Sequence, residues 1–432
     1  MLMATMTMTV KIMNWTYNMI SEYCEEMSSQ IRLRLLPRAR CFFDEPVQVK
    51  VTRLRSRQVV TMRARSTDER GVVFSSSATY RADDRGEVDL NKHPSLGGSY
   101  VGVEPMGLLW SLKAEALHQY FQKGKSLKPH VVTISAHDEE EGRVLAEATN
   151  ERLLLGDGVT RLPVNEGNIN GVLFTPPGAG PFPAVLDLNT LLSEKRAALL
   201  ANKGFVVLAL CVFNVKVTNT KEIHLDHFQE GIDFLQRQPK VGGQGVGVLS
   251  RSKASDIALS LSAFVPAVKA CVWINGCNAN TVVPLHYKNH QIFSSARFDP
   301  SSVIHTESGA HILKFAFANP LAEDNKESLI PIEQAKAQLL FVASEDDMWW
   351  NSKAYMDEMV ERLKRHEKNN FESVCYPRAG HILEPPYGPY CRSCPAGIYP
   401  YQTLWGGEPS GHAAAEVHLW KKIQEFFRVH LR

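Results

Sequence analysis

Long apolar runs are missing from this chain: no stretch approaches about 18 uninterrupted apolar residues, the least that a membrane-crossing helix needs. Charge of one sign is missing as well. Lys and Arg number 48 against 46 Asp and Glu, a formal net charge of +2, and no long basic run stands out. Nucleic acid would have little to hold, so no such partner is expected. Cysteine is sparse and scattered, 8 in 432 residues, and no signal-peptide pattern precedes it. Free thiols in a reducing compartment follow from that usage. Cys391 and Cys394 form a lone CxxC without the second ligand pair of a zinc site, so neither a metal nor a cofactor is expected. The first 26 residues lack the Arg-rich, acid-poor texture of a transit peptide, with Glu22, Glu25 and Glu26 close together. Val429-His-Leu-Arg432 is not a Ser-Lys-Leu peroxisomal address. The cytosol is therefore the expected compartment, with peroxisome and mitochondrion left open.

What remains is a soluble globular composition, 44% hydrophobic and 22% charged, long enough for about two domains. Residues 1–30 read as a disordered extension, in which Met27 is a second possible start. Residues 31–160 read as a β-sandwich, with short alternating runs at Val47–Val51, Val59–Ala64, Val72–Phe74, Ala78–Tyr80 and His130–Ile134. Gly71, Asp83-Asp84 and Gly97-Gly98 punctuate them. The stretch from Gly156 to Val164 is expected to carry the chain between domains. Over residues 161–432 the texture changes to nearly all-apolar strands alternating with helices: Ala184–Leu188, Gly204–Leu210, Val268–Ile274 and Gln338–Val342 are the clearest. That alternation predicts a parallel sheet covered on both faces.

The centre of this second region is Gly245 to Phe264. Val246, Val248 and Leu249 make a strand, and Ile257, Leu259, Leu261 and Phe264 recur at helical spacing. Between them lies Ser250-Arg-Ser252-Lys-Ala254. A nucleophile elbow needs a serine on a sharp strand-to-helix turn with small residues two positions either side. Ser250 and Ala254 meet that steric demand in place of the usual glycines, which makes Ser252 the candidate nucleophile. A plain helix cap is the competing reading. Its partners follow in chain order, as an α/β-hydrolase domain requires. Gln338 to Ala343 runs into Ser344-Glu-Asp-Asp347, and Glu372 to Tyr376 runs into Pro377-Arg-Ala-Gly-His381. His381 would take the Ser252 proton and return it to the leaving group, while Asp347 would fix the imidazole tautomer.

Taken together, these segments resemble the acyl-CoA thioesterase and bile acid-CoA:amino acid N-acyltransferase family, from about Ile31 to the C-terminus. Phe43-Asp-Glu-Pro-Val47, Tyr80-Arg-Ala-Asp83, Gly86-Glu-Val-Asp89 and Gly107-Leu-Leu-Trp110 carry the resemblance in the first domain. Gly245 to Phe264, Trp273-Ile-Asn-Gly276, Ala379 to Pro386 and Trp405-Gly-Gly-Glu-Pro409 carry it in the second. The resemblance implies a β-sandwich before an α/β-hydrolase domain, a triad at Ser252, Asp347 and His381, and a fatty acyl-CoA substrate. It also separates two outcomes. Conjugating members resemble cysteine-nucleophile enzymes, whereas a serine ester is normally resolved by water, so Ser252 favours hydrolysis to free acid and CoA.

Two departures qualify the likeness. After Ala184–Leu188 the family carries a Gly-rich loop that brings a backbone N–H to the oxyanion. Here Asp187 to Arg196 has no glycine and is about three residues shorter. The Lys253 N–H remains as the other donor; one missing donor costs on the order of 10²–10³ in rate. Arg251 is the second departure, with no evident place beside an acyl chain except near CoA phosphates at the mouth. A weak or inactive acyl-CoA-binding relative and an amino acid N-acyltransferase are the alternatives to a thioesterase.

Overall fold

The computed structural model describes residues 30–122, 127–213, 220–397 and 399–431. The extension expected over residues 1–30 lies outside the described residues except for its last position.

In the first region, Val59–Thr67 and Val73–Arg81 pair antiparallel along their full length, with buried residues at alternate positions, as a half-buried sheet requires. Arg40–Phe42, Val144–Leu153, His130–Asp138 and Gly97–Gly98 complete a six-stranded sheet. A second sheet of Arg32–Leu36, Gln48–Thr52 and Val88–Asp89 shares its core: Leu35, Val51 and Val88 lie in one cluster with Met62, Phe74 and Ile134. Two sheets closing on one apolar layer make the expected β-sandwich. The runs expected separately at Val72–Phe74 and Ala78–Tyr80 are a single strand. The serines between them continue the alternation, and the buried Ser76 hydroxyl donates to the Leu108 carbonyl at 2.6 Å.

The second region is built on eight strands in the order Thr160–Glu166, Ile169–Thr175, Val206–Cys211, Phe182–Asn189, Val241–Arg251, Val268–Ile274, Gln338–Ser344 and Phe371–Tyr376. From Val206–Cys211 onward every pairing is parallel. The expectation of a wholly parallel sheet fails at one edge, where the first two strands enter antiparallel. Only Gly167 and Asn168 separate them, and so short a connection permits a hairpin alone. The first of these strands occupies most of the expected linker Gly156 to Val164. Apart from Val164 its residues are exposed, so no apolar pattern marked it.

Helices cover both faces. Leu225–Gln236, Ala254–Phe264 and Ser352–Arg365 pack their apolar residues on one side, and Lys195–Asn202 and Pro409–His430 on the other. Strand residues divide between the two clusters in alternation, Leu186 and Val248 to the first, Val185 and Leu249 to the second. Among the described residues no helix is long and apolar enough to cross a membrane. The two regions are joined by polar ties as well as packing. Asp44 accepts from the Trp420 indole at 2.8 Å and pairs with Lys203 at 3.0 Å.

Candidate active site

The elbow strand Val241–Arg251 is interior to the sheet, and the helix Ala254–Phe264 starts three residues beyond its end. Ser252 sits in that reversal with φ at +61°, a left-handed conformation that costs a non-glycine residue about 1–2 kcal/mol. Two backbone bonds hold it there: the Ser252 N–H donates to the Ile274 carbonyl at 3.0 Å, and its carbonyl accepts from Ser255 at 2.9 Å. Ser250 fits where glycine is usual because its buried hydroxyl donates to the Val272 carbonyl at 2.9 Å. Ala254 is fully buried against the core. The helix-cap reading of Ser252 is not what the geometry shows. No side-chain cap bond forms at this helix, and the serine hydroxyl turns to a histidine instead.

That histidine is His381, whose Nε2 lies 2.9 Å from Ser252 Oγ. Its Nδ1 lies 3.0 and 3.1 Å from the two carboxylate oxygens of Asp347. Asp347 is fully buried and His381 nearly so. Asp347 also accepts the backbone N–H groups of Trp349 and Trp350 at 2.9 and 3.0 Å, so its orientation is set from two sides. With the carboxylate acting as acceptor, the Nδ1 proton faces Asp347 and the free Nε2 lone pair faces the serine. The neighbouring Asp346 is turned away to accept from the Gly407 N–H. The structure thus brings together all three residues expected from chain order, and it separates Asp347 from the adjacent carboxylates.

The loop bearing His381 is clamped from below and behind. Asn275 donates through its side-chain amide to the carbonyls of Gly380 and His381 at 3.2 and 2.9 Å. His381 donates its backbone N–H to the Trp405 carbonyl at 2.8 Å, and the Trp405 ring stacks on the imidazole at 5.4 Å between centroids. Gly380 is required by this approach, since a Cβ there would lie 2.7 Å from the Trp405 carbonyl oxygen. Asn275, Trp349, Trp350 and Trp405 were not singled out as functional from sequence. Trp349 and Trp350 follow Asp347 after Met348 alone, and that proximity was the available signal. The most direct contact is that of Trp350, whose indole N–H donates to Ser252 Oγ at 3.4 Å.

The expected oxyanion donor, the N–H of Lys253, lies between Ser252 and the helix and has no acceptor among the described residues. The Lys253 side chain is buried beside it and bonds to Asp256 at 2.8 Å. The second donor is expected from the loop after Phe182–Asn189. Thr190 to Glu194 form a short link to the helix Lys195–Asn202, and none of them has positive φ. Beneath the loop, Arg196 is buried and donates to Asp187 at 2.5 Å, the Leu188 carbonyl at 2.9 Å and Asn189 Oδ1 at 3.1 Å.

Arg251 finds its place in a charged bridge. It pairs with Glu384, donates to the Leu383 carbonyl at 2.8 Å, and still lines the cleft. Glu384 also faces Lys195 at 3.8 Å. Burial alone would raise the Glu384 carboxyl, but Arg251 and Lys195 outweigh it and hold it at about 2.

Ser252 and His381 open onto a cleft of about 530 Å³, with apolar walls at Leu191, Leu192, Trp349, Ile382 and Trp405. Tyr120 and Gln122, from the connection that precedes the sandwich strand His130–Asp138, close one side. Cys394 also lines it as a free thiol, accepting from the Trp405 indole at 3.1 Å. Among the described residues no group of three His, Cys, Asp or Glu is arranged to hold a metal ion.

The sheet order, the elbow and the cleft at the strand ends define an α/β hydrolase carrying an N-terminal β-sandwich. The family follows from comparison with known proteins. Residues 44–166 match the model for the acyl-CoA thioester hydrolase/BAAT N-terminal region, and residues 223–432 match that for the BAAT/acyl-CoA thioester hydrolase C-terminal region. Human acyl-coenzyme A thioesterase 6 is 41% identical over 407 residues, covering 92% of this chain and 96% of its own. Human mitochondrial acyl-coenzyme A thioesterase 2 is 40% identical over 407 residues, covering 92% and 84%. Among solved structures, an acylaminoacyl peptidase from Pyrococcus horikoshii aligns at 12% identity and a TM-score of 0.43, over 90% of this chain and 60% of its own. The chain belongs to the acyl-CoA thioester hydrolase/BAAT family.

Proposed function

We propose that this protein hydrolyses long-chain acyl-CoA thioesters to free fatty acid and CoA, with Ser252 as nucleophile, His381 as general base and acid, and Asp347 as its orienting carboxylate. The observation that carries this reading is the unbroken line of contacts from Asp347 through His381 to Ser252 Oγ, at the mouth of an apolar cleft. His381 takes the serine proton as Oγ attacks the thioester carbonyl, and the CoA thiolate leaves and takes up that proton from His381. Water then adds to the acyl-serine, giving a proton to His381, and the acid departs as Oγ is reprotonated. The Lys253 N–H is the proposed oxyanion donor. Leu191, Leu192 and Ile382 suit an alkyl chain, and a serine ester is normally resolved by water that the histidine activates, which argues against N-acyl transfer. Residues 31–160 would then serve as a sandwich that walls the cleft, and 161–432 as the catalytic domain. Cys41, Cys271, Cys277, Cys375, Cys391 and Cys394 are free thiols, which suits the cytosol.

One observation favours a second reading, a weakly active relative that binds acyl-CoA: the loop Thr190 to Glu194 has neither glycine nor positive φ where a second oxyanion donor is expected. The deciding experiment is CoA release from a saturated long-chain acyl-CoA by wild type and Ser252→Ala, with fluorophosphonate labelling. Turnover and a Ser252 label in wild type alone support the hydrolase. Binding with no turnover and no label supports the second reading.

A further inference from the structure

The Trp350 indole is buried to within 1% of its surface. An indole N–H is a donor only and seeks an acceptor when buried. Its acceptor here is Ser252 Oγ, at 3.4 Å. The ring is not placed there loosely. Its backbone N–H is held by Asp347 Oδ1 at 3.0 Å, and its ring lies against Phe317, tilted by 44° at 4.3 Å between centroids. One buried carboxylate therefore orients both groups that reach the serine oxygen, His381 through its imidazole and Trp350 through its backbone.

We propose that Trp350 is a further catalytic residue, whose indole N–H stabilises the charge that develops on Ser252 Oγ when the acyl-serine ester is broken. The inference rests on the reading of Ser252 as nucleophile. Its logic lies in the two leaving groups of the cycle. In acylation the leaving group is a thiolate, whose parent thiol has a pKa near about 8.5, and it departs without help. There a donor on Oγ eases deprotonation but blunts attack, and the two effects oppose each other. In deacylation the leaving group is the serine alkoxide, which is far more basic. Water adds to the ester carbon and passes its proton to His381 Nε2. The C–Oγ bond then breaks with its electron pair going to Oγ, and the proton on Nε2 transfers to Oγ as the acid leaves. The indole N–H opposes no part of that step, and a bond that is long in the resting enzyme has room to shorten as charge grows.

Rapid-quench kinetics with a saturated long-chain acyl-CoA separates the two steps. First-turnover CoA appearance reports acylation, and decay of the acyl mass on the intact protein reports deacylation. The proteins are wild type, Trp350→Phe, and a form carrying benzothienylalanine at 350, which keeps the bicyclic shape and replaces only the N–H with sulfur. Deacylation is expected to slow about three- to tenfold in both altered proteins, the worth of one neutral hydrogen bond, with acylation within about twofold of wild type. Unchanged deacylation, or both steps falling together, overturns the proposal, the latter outcome indicating packing alone. Should Trp350→Phe not fold, the benzothienyl protein decides by itself. A wild type with no turnover and no fluorophosphonate label at Ser252 removes the nucleophile reading and this inference with it. A labelled, active wild type with an unaffected variant removes only the inference.

Discussion

The two walls of the cleft are built on different terms. On one side stand Ser252, His381 and Asp347, each at the end of a strand and each held by several bonds. On the other stands the loop Thr190 to Glu194, which spans a similar gap between strand and helix with Leu191 and Leu192 exposed. The first wall meets the demands of acyl transfer closely. The second has no glycine from Thr190 to Glu194 and rests on a buried Arg196–Asp187–Asn189 network. The contrast teaches that strand geometry can hold the proposed nucleophile and base in place independently of the chemistry of the loop opposite. The Glu384 bridge ties the two walls, since Arg251 belongs to the elbow and Lys195 begins the helix after the loop.

The largest expected effect falls on the first wall. Ser252→Ala should lower kcat by about 10⁴-fold or more, read as CoA release under saturating substrate. A loss under tenfold would remove the serine from the mechanism and leave the contrast without meaning. Asp347→Asn should follow at about 10³–10⁴-fold, because an amide in that position favours the wrong imidazole tautomer. Asp346→Asn is the control. It lies beside Asp347 but bonds Gly407, and turnover should change much less.

The second wall is tested by gain. Replacing Thr190–Ser193 with a longer Gly-rich loop should raise kcat about tenfold or more, part of the 10²–10³ that one oxyanion donor supplies. Turnover unchanged by a well-folded loop variant would mean that the existing loop already presents its donor. The smallest effect belongs to the bridge. The Glu384 carboxyl is held at about 2 in the folded protein, against about 4.3 when unfolded. Because the folded value is the lower one, its stabilisation is complete above about pH 4.3 and is lost as pH falls toward 2. Chemical denaturation between pH 5 and 3 should therefore show a steeper decline in wild type than in Glu384→Gln, and parallel curves would count against the bridge.

Much of the first wall was legible because its signals are local and steric. A serine flanked at two residues by small side chains, after an apolar strand and before an apolar helix, has few other uses. A carboxylate and a histidine after later strands completed the order. Strand position alone did not separate Asp347 from Glu345 and Asp346, since all three follow the same strand; Asp347 was named through the family resemblance. The sequence also left Arg251 without a partner, because Glu384 lies 133 positions away. The antiparallel edge was hidden for a different reason. Thr160–Glu166 is exposed on nearly all its residues, and an edge strand with little burial leaves no apolar period to read.

By itself the sequence determined the order of the two regions, the sheet-and-helix alternation of the second, and the elbow with Ser252 at its turn. These follow from burial periodicity and from steric limits that act within a few residues. Tertiary structure alone decided that Asp347 holds both His381 and the backbone of Trp350, that the indole reaches Ser252 Oγ, and that Glu384 joins the two walls. Each of these depends on strand ends far apart in the chain meeting at one edge of a twisted sheet, where distance and direction are set by packing rather than by spacing along the sequence.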